Sequence, residues 1–239
     1  MTWRSVARTI LQVIPDRTVV PVLSGPLRGA WWVKGSGNAS YWLGTYEAKK
    51  QRAFFRSLHE ADIVFDIGAH AGFYTLLASR AVGIRGKIVA FEPLPRNLAF
   101  LKRHCELNHC GNVKIIEAAV SDRSGTAYFD TKEDSFSGLM ADKTTDVQVK
   151  TTSLDDFISV MKCPVPNVIK IDVEGAESAV LHGATNTIRT GRPILFIAIH
   201  TDANRAECQT MLVGFGYDVV ALDGFPLAET SEILATPKR

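Results

Sequence analysis

The stretch VFDIGAHAGFYTLL, residues 64–77, decides the fold. Val64 and Phe65 close an apolar run that Asp66 interrupts, and Gly68 and Gly72 bracket a bend. A helical pattern opens at Phe73. A strand that turns through glycine into a helix is a common seat for a nucleotide-like ligand, because backbone N–H groups at the helix start face outward.

The flanks alternate in the same way. DIVFDIG reads as a strand and GFYTLLASRAV as a helix; GKIVAFEP reads as a strand and LPRNLAFLKRHCELN as a helix, with Pro95 in its first turn. NVKIIEAAVS reads as one strand. GTAYFDT and TDVQVKTTSL read as an inserted β-hairpin with a polar loop between its arms. NVIKIDVEG, then AESAVLHGATNTI, then RPILFIAIH give strand, helix and strand. A helix from about Ala203 to Phe215, the strand YDVVALDG and a short strand near EILATP complete the chain. The apolar runs are short, continuous and rich in Val and Ile, as strands buried on both faces require. The pattern predicts an α/β, doubly wound, mostly parallel Rossmann-like sheet over residues 61–239.

Residues 1–60 differ. They hold Trp3, Trp31, Trp32 and Trp42, with Tyr41 and Tyr46, in a glycine-rich setting. A helix is expected over about 3–14 and another from Glu47 to His59, with Glu47, Lys49 and Lys50 on its solvated side and Ala53, Phe54 and Leu58 on its buried side. The aromatic group serves either as core over the open end of the sheet or as a lid. We favour the lid, with Trp31, Tyr41 and Trp42 against an acceptor and Ser137 of the inserted hairpin near the same pocket, since aromatic faces stack on sugar rings.

Composition narrows the class. The chain has 239 residues, 46% hydrophobic and 22% charged, with net charge +2, ordinary for a globular domain and too small a charge to argue for nucleic acid or an anionic membrane. No run approaches the roughly 20 apolar residues of a membrane-spanning helix. Arg4, Arg8, Gln12, Pro15 and Asp16 interrupt the N-terminal apolar segment before a signal-peptide core forms. The four cysteines make no CxxC pair, which suits a reducing cytoplasm. HCELNHC, residues 104–110, invites a zinc reading, but its spacing matches no finger and a helix end with buried cysteines is the simpler account.

The ligand follows from what ends the strands. Glu92 closes the second strand, 24 positions after Gly68 (92 − 68), and suits the two hydroxyls of a ribose, because a carboxylate only accepts. Ser121 and Asp122 close the third and suit an adenine edge. A dinucleotide fingerprint would read GxGxxG. Here His70 stands between Gly68 and Gly72, where a pyrophosphate needs the closest approach. That disfavours NAD, and the DxGxxxG turn with Asp66 suits S-adenosylmethionine, whose reactive end is positively charged.

At FDIGAHAGFYT, AFEPLPRN, AAVSD, TTSLDDF and IKIDVEGAE the sequence resembles the FkbM-type family of S-adenosylmethionine-dependent methyltransferases, over about Asp62 to His200. WLGTYE, residues 42–47, also resembles a stretch some members carry. The resemblance implies a class I methyltransferase fold, O-methylation of a hydroxyl on a sugar or secondary metabolite, and cofactor contacts near Asp66, Gly68, Ala69, His70, Gly72, Glu92, Ser121 and Asp122. It departs at one position: members usually carry a glutamate two residues before the histidine of the fifth strand, where FIAIH has Ala198.

A hydroxyl is a poor nucleophile at neutral pH, so a base or a metal must help remove its proton. Asp172 and His200 end neighbouring strands, and Glu174 follows closely. The expected catalytic set is Asp172, His200 and Glu174. Either His200 is the base, which Ala198 favours, or Asp172 and Glu174 hold Mg²⁺. Blander roles compete: the acids would cap the helix after Gly175, and His200 would only bond a loop. An NAD(P)-dependent oxidoreductase and a non-catalytic cofactor-binding module are the alternatives in function.

Overall fold

The computed structural model describes residues 14–130, 139–141 and 147–238. The helix expected over about 3–14, apart from residue 14, Ser137, and the polar loop of the inserted hairpin, apart from 139–141, fall outside these residues. Strands β1 (Val19–Pro21) and β2 (Trp31–Val33) pair antiparallel, followed by helices Ser40–Leu43 and Ala48–Arg56. Then come β3 (Ile63–Ile67), helix Phe73–Val82, β4 (Lys87–Phe91), helix Pro95–Leu107 and β5 (Val113–Ile116). Next are β6 (Ala119–Val120), β7 (Gly125–Asp130), β8 (Leu139–Ala141), β9 (Val147–Thr152), helix Leu154–Met161 and β10 (Val168–Ile171). Helices Glu177–His182 and Thr185–Gly191, β11 (Ile194–Ala198), helix Asp202–Gly214, β12 (Tyr217–Ala221) and β13 (Glu232–Pro237) finish the fold.

The central sheet runs β12-β13-β11-β10-β3-β4-β5. Strands β11, β10, β3, β4 and β5 are parallel, and β13 lies antiparallel between β11 and β12. From the middle pair β3 and β10 the chain winds outward in both directions, so a crevice opens beyond their carboxyl ends. Continuous apolar strands give a core on each face. One gathers Phe65, Phe91, Ile169, Leu195 and Ile233, and the other gathers Val64, Leu77, Ile88 and Phe196.

The N-terminal segment joins that second core directly. Trp32, Trp42 and Phe54 are buried in the same cluster as Phe196. Trp32 stacks on His104 at 3.8 Å between centroids. His104 Nε2 accepts from Val33 N–H at 2.9 Å, so its Nδ1–H donates to the Ala71 carbonyl at 2.7 Å. Burial then holds this imidazole neutral, its pKa pulled down to about 4. With both nitrogens engaged, His104 has none left for zinc.

Three sequence expectations need correction. NVKIIEAAVS is two strands: β5 leaves the central sheet at Ile116, and β6 pairs with β9 in a separate sheet, β6-β9-β7-β8. The expected hairpin of β7 and β9 is there, in register Gly125↔Thr151, but within this larger sheet. AESAVLHGATNTI is two helices broken at Gly183, where a Cβ would stand 2.1 Å from the Ser121 carbonyl oxygen. Lys50, expected in solvent, is 3% exposed.

Candidate active site

A cavity of about 740 Å³ opens beyond β3 and β10. Its volume lies in the range of small-molecule sites. One end is built from the turn after β3. Gly68 has φ +71°, and a Cβ there would lie 1.8 Å from the Asp172 carbonyl oxygen, so the turn after β3 packs against the turn after β10 only with glycine. Ala69 and His70 line the cavity. His70 N–H donates to Glu92 Oε2 at 2.8 Å, and Leu94 N–H and Asn97 Nδ2 donate to Oε1 at 3.0 and 3.2 Å. Burial raises the Glu92 pKa against those bonds. A carboxylate has about four acceptor sites, so Glu92 keeps capacity for a ligand hydroxyl.

Four of the residues expected to meet cofactor stand elsewhere. Asp66 is fully buried behind the turn, where Thr75 Oγ1 donates to Oδ2 at 2.6 Å and Lys170 Nζ stands 3.3 Å from Oδ1. Its charge is met inside the protein and does not face the cavity. Gly72 caps the helix Phe73–Val82 against Leu101. Ser121 and Asp122 lie past β6, and the lining on that side is Ala118, Ala119 and Val120 instead. The shift follows from β5 ending early. Among the aromatic residues assigned to an acceptor, Tyr41 lines the cavity and stacks on Tyr46 at 4.1 Å. Trp42 is core, and Trp31 is exposed on β2, where its backbone N–H donates to Asn108 Oδ1. Neither Trp31 nor Trp42 lines the cavity.

The other end carries the charges. Asp172, Glu174 and His200 each offer a ligand atom, all within 4.8 Å of one another. His200 Nδ1 stands 2.6 Å from Glu177 Oε1, while Nε2 lies 3.5 Å from Asp172 Oδ1 and 3.3 Å from Glu174 Oε2. Glu177 is buried and its Oε1 also takes Gly175 N–H at 2.9 Å. Burial disfavours the imidazolium, but the bond to Glu177 and the charges of Glu174 and Asp172 outweigh it, and the His200 pKa rises. Burial also works against the Asp172 carboxylate, and Lys170, Lys50 and His200 overcome it, so the Asp172 pKa falls.

Beneath this group lies a polar cluster that sequence reasoning missed. Lys170 Nζ donates to the Gly68 carbonyl at 2.7 Å and stands 3.6 Å from Asp172 Oδ2. Lys50 Nζ is 3.0 and 2.8 Å from the two oxygens of Glu232 and 3.3 Å from Glu47 Oε2. Tyr74 OH donates to Glu47 Oε2 at 2.7 Å. Lys170 had a signal, a lysine inside the apolar strand VIKI beside an acid. Glu177 stands three residues after Glu174 in IKIDVEGAE. Glu232 had none, since only strand pairing sets it opposite Ala198.

The sheet order, the glycine turn against β10 and the carboxylate closing β4 define a class I methyltransferase fold. The family described as the methyltransferase FkbM domain matches residues 66–230, and the chain belongs to it. Hexuronic acid methyltransferase AglP of Haloferax volcanii is 26% identical over 67% of this chain and 65% of that protein, so the chain spans just under two thirds of that relative. The 31-O-demethyl-FK506 methyltransferase FkbM of Streptomyces tacrolimicus is 26% identical over 74% of this chain and 80% of that protein. Among solved structures, a methyltransferase FkbM from Methylobacillus flagellatus superposes with TM-score 0.56 at 15% identity, over 84% of this chain and 55% of that one. Membership sets aside the nicotinamide reading. Among the described residues no helix is long and apolar enough to cross a membrane.

Proposed function

We propose that the protein methylates a hydroxyl of a sugar or natural product, using S-adenosylmethionine, with His200 as the base. The observation that carries this is the 2.6 Å contact of His200 Nδ1 with buried Glu177, at the wall of a cavity that also holds Glu92. Glu92, with the backbone of Ala69 and His70, would hold the nucleoside, and Ala118, Ala119 and Val120 would flank its base. When bound, S-adenosylmethionine supplies an electrophilic methyl group on a sulfonium.

The protein's part is positioning and proton handling. Glu177 accepts Nδ1–H, which fixes the tautomer with the Nε2 lone pair toward the cavity. His200 Nε2 takes the hydroxyl proton as the acceptor oxygen attacks, and Glu177 stabilises the imidazolium that results. His200 enters the reaction neutral, above its raised pKa, and a cationic cofactor bound in the same cavity would favour that neutral form.

A second reading has a metal in place of the base, since three ligand atoms lie within 4.8 Å. Two carboxylates could hold Mg²⁺, but the imidazole makes the donor set mixed, and such a set suits a first-row transition ion better than Mg²⁺. Comparing turnover on a panel of glycosides and macrolides with and without chelator separates the two. Turnover that survives chelation and disappears in His200→Ala supports the base. Stabilisation of the protein by NAD and not by S-adenosylhomocysteine would overturn the whole reading. Four free cysteines fit a cytoplasmic setting for this enzyme.

A further inference from the structure

We propose that Glu232 is a specificity-determining residue, clamped by Lys50 at the cavity wall to accept a hydrogen bond from a second hydroxyl of the acceptor, next to the one that is methylated. This rests on the hydroxyl-acceptor reading above and narrows it to acceptors bearing neighbouring hydroxyls.

The geometry begins with strand pairing. Glu232 stands directly opposite Ala198 in the antiparallel β11–β13 ladder, so their side chains share a face of the sheet. The pairing continues past β11, where Ile199 N–H donates to the Ser231 carbonyl at 2.8 Å. His200, two residues beyond Ala198, lines the same cavity as Ala198 and Glu232. Ala198 presents only a methyl group. The wall between the imidazole and the Glu232 carboxylate is therefore left open, with a proton acceptor on each side.

Glu232 is held for that role. Lys50 Nζ reaches both of its oxygens, at 3.0 and 2.8 Å, from a helix of the N-terminal segment. Lys50 is itself fixed by Glu47, which Tyr74 holds through its hydroxyl. Glu232 Oε2 is buried and meets Lys50 as a charge alone among the described residues, so the acceptor site to spare is the second lone pair of Oε1, which takes one hydrogen bond from Lys50. Its side chain is 16% exposed. Burial lifts the Glu232 pKa to about 7 against the pull of Lys50, so above that pH it is a carboxylate with a fixed counter-charge and an acceptor site to spare, which suits a neutral O–H donor. It repels a carboxylate or phosphate on the acceptor, and Glu47, Asp172 and Glu174 in the same wall add to that repulsion.

The rival account is that Lys50 and Glu232 only tie the N-terminal segment to the sheet. Glu232→Gln keeps the shape, and its melting temperature and affinity for S-adenosylhomocysteine are measured first. Steady-state kinetics then compare methyl glycosides with their monodeoxy analogues. We expect S-adenosylhomocysteine affinity within about twofold of the parent and KM for the best glycoside raised about tenfold, as for a lost charge-assisted hydrogen bond, with kcat far less affected. One deoxy analogue should show the same rise with the parent enzyme and no further rise with Glu232→Gln. An unchanged KM, or losses that multiply for every analogue, overturns the proposal. A parent enzyme that binds S-adenosylhomocysteine but methylates no glycoside having adjacent hydroxyls overturns it too, and leaves the cofactor reading standing. Absence of S-adenosylhomocysteine binding overturns both.

Discussion

His200 Nδ1 and Glu177 Oε1 stand 2.6 Å apart, and the glutamate is fully buried. A buried carboxylate on one imidazole nitrogen sets the character of the other. His200→Ala should cost about 10²–10⁴ in kcat, the usual share of a general base. Glu177→Gln should cost less and should move the acid limb of kcat/KM to lower pH, because the imidazolium loses its strongest partner. In the parent the base is active only when neutral, so activity falls as pH drops through a value above about 6.5. The stability sign is opposite. The raised pKa makes the pair's contribution fully present below about 6.5 and lost as pH rises through the folded value. Urea midpoints against pH for parent and Glu177→Gln check this, and coincident curves would refute it.

Lys170 is the single buried cation shared by Asp66 and Asp172 among the described residues. Lys170→Met leaves both acids facing a buried void of charge. Breaking such a pair from one side costs about 3–5 kcal/mol. Urea denaturation should show that loss, and adding Asp66→Asn should recover part of it, as a coupled pair requires. The Asp172 pKa is depressed, so its contribution is present above about 3.9 and lost as pH falls through the lower folded value. That acid-side decline should be shallower in Lys170→Met. A single variant as stable as the parent would remove the cluster's structural role.

The fold was legible because its strands are buried on both faces and therefore read as continuous apolar runs. The glycine turn was legible because Gly68 fits where no other residue does. What escaped was pairing between distant parts of the chain. Nothing in EILATP says that Glu232 faces Ala198, and nothing in EAKKQ says that Lys50 turns inward to meet it. Asp66 sat at the expected place in the turn, but a lysine in register on β10 consumed its charge. Ser121 and Asp122 were displaced because β5 ends at Ile116. Trp42 went to core because a long segment packed against the sheet needs one of its own.

His104 links the N-terminal segment to the glycine turn after β3. It stacks under Trp32 and bonds both Val33 N–H and the Ala71 carbonyl. His104→Leu keeps most of the volume but strands a buried donor and a buried acceptor, each worth about 1–3 kcal/mol. The expected result is a clear drop in melting temperature, with Val33 amide exchange accelerated more than that of Ile169 in the central sheet. Equal acceleration at both amides would mean that the segment has no separate opening. Because this imidazole is already neutral, its pKa near 4, the parent's melting temperature should not respond to this group between pH 6 and 8.

Gly68 and Gly175 offer a controlled comparison at the heart of the site. Both have left-handed backbone, φ +71° and +97°. A Cβ at Gly68 would stand 1.8 Å from the Asp172 carbonyl oxygen, whereas at Gly175 nothing lies within 4 Å. Gly175→Ala therefore incurs only the backbone cost, about 1–2 kcal/mol. Gly68→Ala incurs that cost and also forces the turn after β3 away from the turn that carries Asp172. Backbone cannot yield as a flexible side chain can. Gly68→Ala should melt well below Gly175→Ala and lose both S-adenosylhomocysteine affinity and turnover, since Ala69, His70 and Asp172 move together. Calorimetric melting and ligand titration of the two variants decide it. If they melt alike, the two turns are not locked against each other.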